Sequence, residues 1–352
     1  MPWLQRGQPG KPSTVHINGS RGEGGGQILR TSLTLACITG KNLHIENIRS
    51  ARRNAGLAKQ HLSCVHAACQ ICAGHCRGAA VSSQVLDFQP GSVRGGDFSF
   101  DIGSAGSVSL VIQTVLPALF LAGKHSTVTV TGGTHNPWAP PFDFLRETFL
   151  PAVATAGFRA DCQLVKHGFF PAGGGKILFD IEPWHKDTGQ TIDLCRPNNN
   201  TEIHARIYTA RLPEHIARKQ KTLLLQSKLN IRHIEHIEVT DSDGPGNCLM
   251  IRLCDGRKTV FTAFGMRRKP SRDVVNEAVT LASNFLASGA VVDRFLADQL
   301  LIYMALCKTG CYTTDDLSTH LTTNIETIKK FLPVDFKTEK ENGIYRISCA
   351  PS

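Results

Sequence analysis

The sequence predicts an α/β (α+β) fold in which three repeated β-α-β-α-β-β units form a large domain and a smaller α/β domain is inserted in the third unit. Two observations favour this fold. Strand-like alternation and helix-like periodicity recur in the same order, and a segment with its own alternation interrupts the last recurrence. The 352 residues also suffice for two domains. We predict a flexible polar lead at 1–13, the large domain at 14–183 and 272–352, and the insert at 184–271.

The first unit shows the pattern most clearly. A glycine-rich turn separates its first strand from its first helix, and a second strand and helix follow. The predicted elements are strands at 14–19 and 43–48, helices at 28–38 and 56–72, and a closing strand pair at 85–88 and 98–102.

The second and third units repeat that order. The second has helices from about 107 to 121 and within 144–156, and strands at 127–131, 162–165 and 176–181. The third has helices at 298–306 and 323–332 and paired strands at 336–340 and 345–348. The insert has a basic helix near 214–228 and strands at 203–208, 234–239, 249–254 and 259–263, and turn-rich stretches at 197–200 and 267–271 lie near its edges.

The charge of the chain favours polyanionic partners. Lys and Arg total 39 against 29 Asp and Glu, a formal charge of +10, which attracts nucleic acids and nucleotides. A basic surface that binds no nucleic acid stays open as the alternative. The longest apolar run, 108–122, is interrupted by Gln113, Thr114 and Pro117 and is shorter than the roughly 20 residues of a membrane span. We therefore expect a buried helix there and no membrane partner.

The twelve cysteines predict a cytoplasmic protein with reduced thiols, because no secretory signal precedes them. Cys64, Cys69, Cys72 and Cys76 lie near histidines and superficially resemble metal ligands. Leu62, Val65, Cys69, Cys72 and Cys76 instead advance by three or four residues, which fits the apolar stripe of one helix. We expect no metal at this cluster.

Residues 23–27 place three glycines between a strand and a helix. Without side chains, backbone amides and the positive helix end can approach a polyanion, so the turn is a candidate phosphate site. It matches neither the Walker nor the dinucleotide pattern, and a simple tight turn is the alternative.

Two further segments fit nucleotide binding. Arg49, Arg52, Arg53 and Lys59 cluster before the second helix, and guanidinium groups suit phosphates, although a solvated basic loop is the alternative. Residues 131–141 combine glycine, tryptophan and proline, and a proline wall can cover one face of a base. A structured turn is the alternative for that stretch.

His320 is the most informative histidine. Thr323 and Glu326 have the spacing of a capping box, so a helix is predicted to begin just after His320. The helix dipole disfavours imidazolium there, which leaves a neutral ring nitrogen able to attack phosphorus. From the spacing alone, an ordinary polar loop histidine is the alternative.

In their joint order, ten short strings resemble the RNA 3'-terminal phosphate cyclase family, over about residues 14–340. They are 23–30 (EGGGQILR), 48–52 (IRSAR), 56–61 (GLAKQH), 103–107 (GSAGS), 113–117 (QTVLP), 132–134 (GGT), 139–141 (APP), 171–175 (PAGGG), 296–300 (LADQL) and 320–325 (HLTTNI).

The resemblance implies three repeats related to those of enolpyruvyl transferases, with the smaller domain inserted in the third. It also implies a ligase-class enzyme whose partners are ATP, Mg²⁺ or Mn²⁺, and RNA ending in a 3'-phosphate; it names no protein partner. A histidine attacks the α-phosphorus of ATP, AMP passes to the RNA 3'-phosphate, and the neighbouring 2'-OH expels AMP to leave a 2',3'-cyclic phosphate.

The resemblance implies roles for individual residues. His320 would be the nucleophile, Glu23 the metal ligand, and Asp298 would hold the ribose or orient His320. The implied phosphate or RNA contacts are Arg30, Arg49, Arg52, Gln60 and His61, and the implied adenosine pocket is Gln113, Pro140, Phe264, Phe295 and Gln299. The sequence departs from the family pattern at residues 50–51 and 55–56, which bear on loop shape, and at Phe295, where a tyrosine is common.

Two other functions fit the same motifs. A cyclase-like homologue can act as a non-catalytic RNA-binding factor in ribosome assembly, but such homologues lack the nucleophilic histidine, which is present here as His320. An enolpyruvyl transferase shares the repeats and would form no covalent nucleotide adduct. The fold alone does not separate these functions.

Overall fold

A computed structural model of the chain describes residues 13–185, 190–197, 201–255 and 258–352. Apart from Ser13, the predicted lead lies outside the described residues, as do residues 198–200 of the predicted junction. The strands are β1 (Thr14–Asn18), β2 (Asn42–Glu46), β3 (His75–Arg77), β4 (Leu86–Gln89), β5 (Asp97–Asp101), β6 (Ser126–Gly132), β7 (Ala160–Lys166), β8 (Gly175–Ile181), β9 (Asp193–Leu194), β10 (Glu202–Ala210), β11 (Ile231–Val239), β12 (Gly246–Cys254), β13 (Lys258–Phe264), β14 (Gly310–Thr314), β15 (Val334–Glu341) and β16 (Ile344–Pro351). The helices are α1 (Gly26–Thr39), α2 (Lys59–Cys72), α3 (Val108–Phe120), α4 (Phe142–Phe144), a π-helical turn (Leu145–Phe149), α5 (Leu150–Ala154), α6 (His215–Leu225), α7 (Ser271–Ser288), α8 (Arg294–Cys307) and α9 (Thr319–Lys329).

The chain has a mixed α/β fold, and three of its four-stranded sheets share one connectivity. In the sheet β1-β2-β4-β3, β1 and β2 are parallel and the other pairs are antiparallel. The sheets β5-β6-β8-β7 and β9-β14-β16-β15 have the same pattern. A single helix connects the two parallel strands of the first and second sheets, whereas the segment from β10 to α8 lies between β9 and β14.

The predicted pairing of residues 85–88 with 98–102 is wrong. β4 instead pairs with β3, whereas β5 is parallel to β6 and opens the second sheet. The three residues of β3 are too few to show an alternating pattern. Cys76 lies in β3 and not on the helical stripe, because α2 ends at Cys72 and Ala73 turns the chain with φ 49°.

The fourth sheet, β11-β10-β12-β13, has its own hydrophobic core. Helix α7 packs Val274, Ala278 and Ala282 into that core, while β9 pairs with β14 of the third sheet. The predicted insert bounds of 184–271 put β9 inside the insert and most of α7 outside it.

A buried polar network joins the fourth sheet to α4 and the loop before it. Asp143, 3% exposed, accepts hydrogen bonds from Arg206 and the Tyr208 hydroxyl, both at 2.9 Å, and lies 3.1 Å from Nε2 of His135. Burial alone would raise the pKa of Asp143, but His135, Tyr208 and Arg206 together lower it to about 2. The carboxylate therefore stays ionised and bonded across the junction.

Helix α1 is the centre of the large core and contacts α2, α3 and α9. Its Thr31 hydroxyl donates to Asn324 of α9 at 2.7 Å, and the Asn324 amide donates to the carbonyl oxygen of Asp298 at 2.7 Å. These bonds hold the start of α1 against α8 and α9. Within the residues that the structure describes, every helix is too short or too polar to cross a bilayer.

Candidate functional site

His320 lies in the first turn of α9, which begins earlier than predicted. Ser318 is the N-cap, and its hydroxyl accepts from the Leu321 amide at 3.2 Å. The predicted capping box at Thr323 is wrong, because that hydroxyl donates to the Thr319 carbonyl inside the helix at 2.6 Å. It also accepts from the Glu23 amide at 2.9 Å. Thr323 thereby connects the glycine-rich turn to the helix that carries His320.

A hydrogen-bonded chain orients the His320 ring. Its Nδ1 lies 2.8 Å from Oε1 of Gln27, and Nε2 of Gln27 donates to a carboxylate oxygen of Asp298. Since the carboxylate accepts, the Gln27 nitrogen faces it and the Gln27 oxygen faces His320. The Nδ1 atom then carries the proton, which leaves the lone pair on Nε2. That tautomer is the one in which Nε2 can attack an electrophile.

Gln27 was not predicted as a functional residue. It falls within the glycine-rich string at 23–30, and it is a polar residue only 6% exposed at the start of α1. A polar side chain at the first buried position of a helix is the signal that could have identified it. The signal is weak, because buried glutamines usually satisfy only structural hydrogen bonds.

The surrounding charges keep the His320 ring neutral. Burial lowers the pKa of His320; Glu23 opposes this, and Arg30, Arg52 and Arg294 lower the pKa further. Burial raises the pKa of Asp298 to about 7, against the attraction of Arg30. At neutral pH His320 is therefore neutral, while Asp298 lies close to its own titration.

Glu23 lies beside the free nitrogen of His320. Its Oε1 is 4.0 Å from His320 Nε2 and forms an ion pair with Arg52, and its Oε2 accepts from the Gly25 amide at 2.8 Å. A carboxylate so placed fits a divalent cation that takes its other ligands from substrate phosphates and water. The carboxylate has lone pairs left for such a bond.

Arg30 of α1 and His61 of α2 lie close to Gly26 at the start of α1. Burial lowers the pKa of Arg30, which nevertheless carries charge at neutral pH. Burial, together with Arg30 and Arg49, lowers the pKa of His61 to about 3. Nδ1 of His61 accepts from the Ala58 amide at 3.0 Å, so Nε2 of the neutral ring carries the proton. A side chain at Gly26 would collide with that Nε2 and come within 2.9 Å of Arg30.

A cavity of about 420 Å³ brings together most of the predicted site. This volume is typical of a pocket for a small organic ligand. The Gln113 amide donates to Gln299, and the Gln299 amide donates to the carbonyl of Phe295. The predicted residues that line the cavity are Arg30, Gln113, Pro140, Phe264, Phe295, Asp298, Gln299 and His320.

The other predicted residues lie outside the cavity. Arg52 is held at Glu23, whereas Arg49 donates to the Gly56 carbonyl at 2.7 Å. Gln60 lines a neighbouring groove and accepts from the Ser107 amide at 3.1 Å. Arg294, which was not predicted, lines the cavity with its guanidinium 5.8 Å from the centre of the Phe295 ring.

Comparison with known proteins gives a consistent match. The family model described as RNA 3'-terminal phosphate cyclase matches residues 21–338. A curated relative of that name from Koribacter versatilis is 43% identical over 342 residues, which cover 96% of this chain and 95% of the relative. Relatives with the same name from Ralstonia nicotianae and Pseudomonas fluorescens are each 42% identical, covering 95% and 96% of this chain and 96% and 98% of their own lengths.

Proposed function

The chain belongs to the RNA 3'-terminal phosphate cyclase family, and from that premise we propose that it uses ATP to convert an RNA 3'-terminal phosphate to a 2',3'-cyclic phosphate. The observation that carries this proposal is the Asp298–Gln27–His320 chain, which frees Nε2 of His320 in the wall of a nucleotide-sized cavity. A protein that only bound RNA would not need a histidine oriented in this way.

In the first step Nε2 of His320 attacks the α-phosphorus of ATP. A P–N bond forms, the bond between the α-phosphorus and its bridging oxygen breaks, and pyrophosphate leaves. An oxygen of the RNA 3'-phosphate next displaces His320 from the AMP phosphorus. Finally the 2'-oxygen attacks the RNA phosphorus, AMP leaves, and the proton of the 2'-OH passes to solvent.

We propose that the cavity holds ATP with its adenosine between Pro140 and Phe295. The two residues offer apolar surface on the cavity wall, and the linked amides of Gln113 and Gln299 offer polar groups for the base edge or ribose. Arg30 lines the same cavity and its charge acts on His320, so it could meet phosphates that reach the histidine. Asp298 acts through Gln27, so we assign it to orientation of His320 and not to the ribose.

Glu23 is the residue that we propose as ligand of the divalent cation. A bound Mg²⁺ or Mn²⁺ would neutralise the triphosphate and assist departure of pyrophosphate. Arg52 pairs with Glu23 and is exposed, so we propose that it contacts the RNA 3'-phosphate. His61 would donate its Nε2 proton to a phosphate oxygen, and Gln60 and Arg49 would shape the adjoining surface.

The architecture and location belong to the same proposal. We propose that the three sheets of like connectivity are copies of one unit, and that the part from β10 to α7 is a domain inserted between β9 and α8. All twelve cysteines are free thiols, which agrees with a cytoplasmic location.

Labelling tests the first step directly. Incubation with ATP labelled at the α-phosphorus and Mg²⁺ or Mn²⁺ should leave acid-labile label on the protein, and His320→Ala should abolish it. His66→Ala removes an exposed histidine of α2 and should retain the label. Label that persists in the His320 variant would exclude His320 as the nucleophile, and an unlabelled wild type would favour the non-catalytic factor.

The complete reaction needs RNA. A single-stranded RNA ending in a 3'-phosphate should acquire phosphatase-resistant ends only when ATP, the cation and the wild-type protein are all present. Labelled protein that leaves the RNA ends sensitive to phosphatase would support self-adenylylation but contradict the proposed acceptor.

A further inference from the structure

A second cavity, of about 530 Å³, opens beside the one that holds His320. We call it the side groove. It shares Leu110, Trp138 and Ala139 with the first cavity, so the two adjoin. Its remaining lining is residues 58–60, 104–107, Asn136, Phe170 and Pro171.

Two exposed aromatic side chains form one wall of the side groove. Trp138 is 68% exposed and Phe170 is 44% exposed, and their rings meet edge to face with centroids 4.9 Å apart. Phe295, in the first cavity, is the one other exposed aromatic side chain of the described residues. Burial of such large apolar side chains is ordinarily favourable, so exposed rings beside a cavity suggest a ligand.

A hydrogen bond of Asn136 holds the wall of the side groove. Asn136 is 6% exposed and donates through Nδ2 to the Ala105 carbonyl at 2.6 Å. Both residues line the groove, so this bond keeps its wall in place.

Basic groups line both of the cavities that Phe170 helps to form. Lys59 lines the groove, and no ion pair among the described residues involves it. Beyond Phe170 lies a further cavity of about 780 Å³ that is lined by Phe170, Arg267 and Arg268. Aromatic rings between cations are the usual composition of a surface that binds single-stranded nucleic acid.

We propose that Trp138 and Phe170 form a stacking platform for the unpaired nucleotides next to the RNA 3'-end. This proposal rests on the proposed function, because a strand whose terminal phosphate reaches His320 must leave the first cavity along an adjoining surface. The side groove is such a surface. Stacking tolerates any base, so the platform requires an unpaired strand and no particular sequence.

A double-mutant cycle between protein and RNA tests the platform. The dissociation constant of a single-stranded RNA with a 3'-phosphate is measured without ATP for the wild type and Trp138→Ala, with each of the last four bases in turn replaced by an abasic site. Loss of one stacking partner should raise the dissociation constant about fivefold to a hundredfold. At the stacked position, the losses of binding free energy caused by Trp138→Ala and by the abasic site should be clearly less than additive. Additivity at all four positions would overturn the proposal.

Further variants separate stacking from other causes. Trp138→Phe should recover most of the binding, whereas Trp138→Leu, which stays apolar, should not. Phe170→Ala should weaken binding as Trp138→Ala does, and Leu225→Ala, which removes an equally exposed apolar side chain from the end of α6, should have no effect. Full binding by Trp138→Leu would show that the surface takes an apolar partner such as a peptide, and would overturn the assignment to RNA.

The RNA-binding experiment is independent of the proposed chemistry. A protein that fails to label itself with ATP but shows the coupling at Trp138 would retain the platform and lose the cyclase mechanism. A fall in self-labelling of Phe170→Ala as large as its fall in RNA binding would place the aromatic pair in the ATP site instead, and would overturn the proposal.

Discussion

Nδ1 of His320 lies 2.8 Å from the side-chain oxygen of Gln27, and the two residues are 293 positions apart in the chain. Gln27 is held in turn by Asp298, to which its nitrogen donates. This relationship joins the first turn of α1 to the first turn of α9. It fixes the tautomer of His320, so the reactivity of Nε2 depends on Gln27 and Asp298 as well as on the histidine itself.

Gln27→Ala should slow self-adenylylation by about 10- to 100-fold, because loss of a buried hydrogen bond costs about 1–3 kcal/mol and frees both tautomers of His320. The initial rate of labelling with α-labelled ATP measures the effect. Gln163→Ala, an exposed glutamine of β7, is the control and should label at the wild-type rate.

Gln27→Glu sharpens this test. A carboxylate at the same position would raise the pKa of His320 and protonate it at neutral pH. Labelling should therefore be poor at pH 7 and recover as the pH rises. A wild-type rate in either Gln27 variant would rule out the orienting role.

The rate of self-adenylylation should rise with pH through about 7. Asp298, whose pKa burial raises to about 7, is protonated below that value and ionised above it. The ionised carboxylate has no proton to donate, so it must accept from the Gln27 nitrogen. This arrangement fixes the tautomer of neutral His320. The pKa of His320 is lowered, so its own titration falls at more acid pH.

Asp298→Asn identifies the titrating group. The amide does not ionise, so the step near pH 7 should disappear, and the rate should be low throughout. A step that keeps its midpoint in this variant would assign it to another group.

Glu23→Gln should raise the Mg²⁺ or Mn²⁺ concentration for half-maximal labelling by about tenfold or more, since an amide replaces a charged ligand. Excess cation should restore much of the rate. Glu326→Gln, at an exposed position of α9, is the control and should leave the requirement unchanged. If excess cation restores nothing, Glu23 acts by holding Arg52 and not by binding metal.

Asp143→Ala should lower the free energy of unfolding by about 3–5 kcal/mol, because it leaves Arg206 without its buried partner. Denaturant unfolding measures the loss. Asp180→Ala breaks an exposed pair with His125 and should cost no more than about 1 kcal/mol. Equal losses in the two variants would mean that the buried network stabilises the fold no more than an exposed ion pair does.

The Asp143 carboxylate also predicts acid sensitivity. Its pKa is lowered to about 2 in the folded protein, below the ordinary value of about 3.9 in the unfolded chain. Such a group contributes stability that is complete above the unfolded pKa and is lost as the pH falls through the folded pKa. Unfolding free energies from pH 5 to pH 2 should fall less steeply in Asp143→Asn than in the wild type.

Local periodicity allowed the longer helices and strands to be predicted. It did not show which strands lie side by side in the folded chain. Helices α1, α2 and α3 lie close to their predicted bounds because each has a regular apolar face. The pairing of β4 with the short β3, and of β5 with β6, depended on which strands meet in the folded chain. A strand pattern indicates which face is buried but not which strand lies beside it.

The sequence by itself determined which reactive residue types are present: a histidine, an acidic residue in a glycine-rich turn and a set of arginines. The motifs that contain them follow one another in the order typical of one family. Only the tertiary structure decided that His320 lies within α9, that Gln27 and Asp298 orient it, and that Arg49 turns away to Gly56 while Arg52 meets Glu23. The physical reason is that residue type sets what a group can do, whereas burial and hydrogen bonds between distant segments set its tautomer, its pKa and its neighbours.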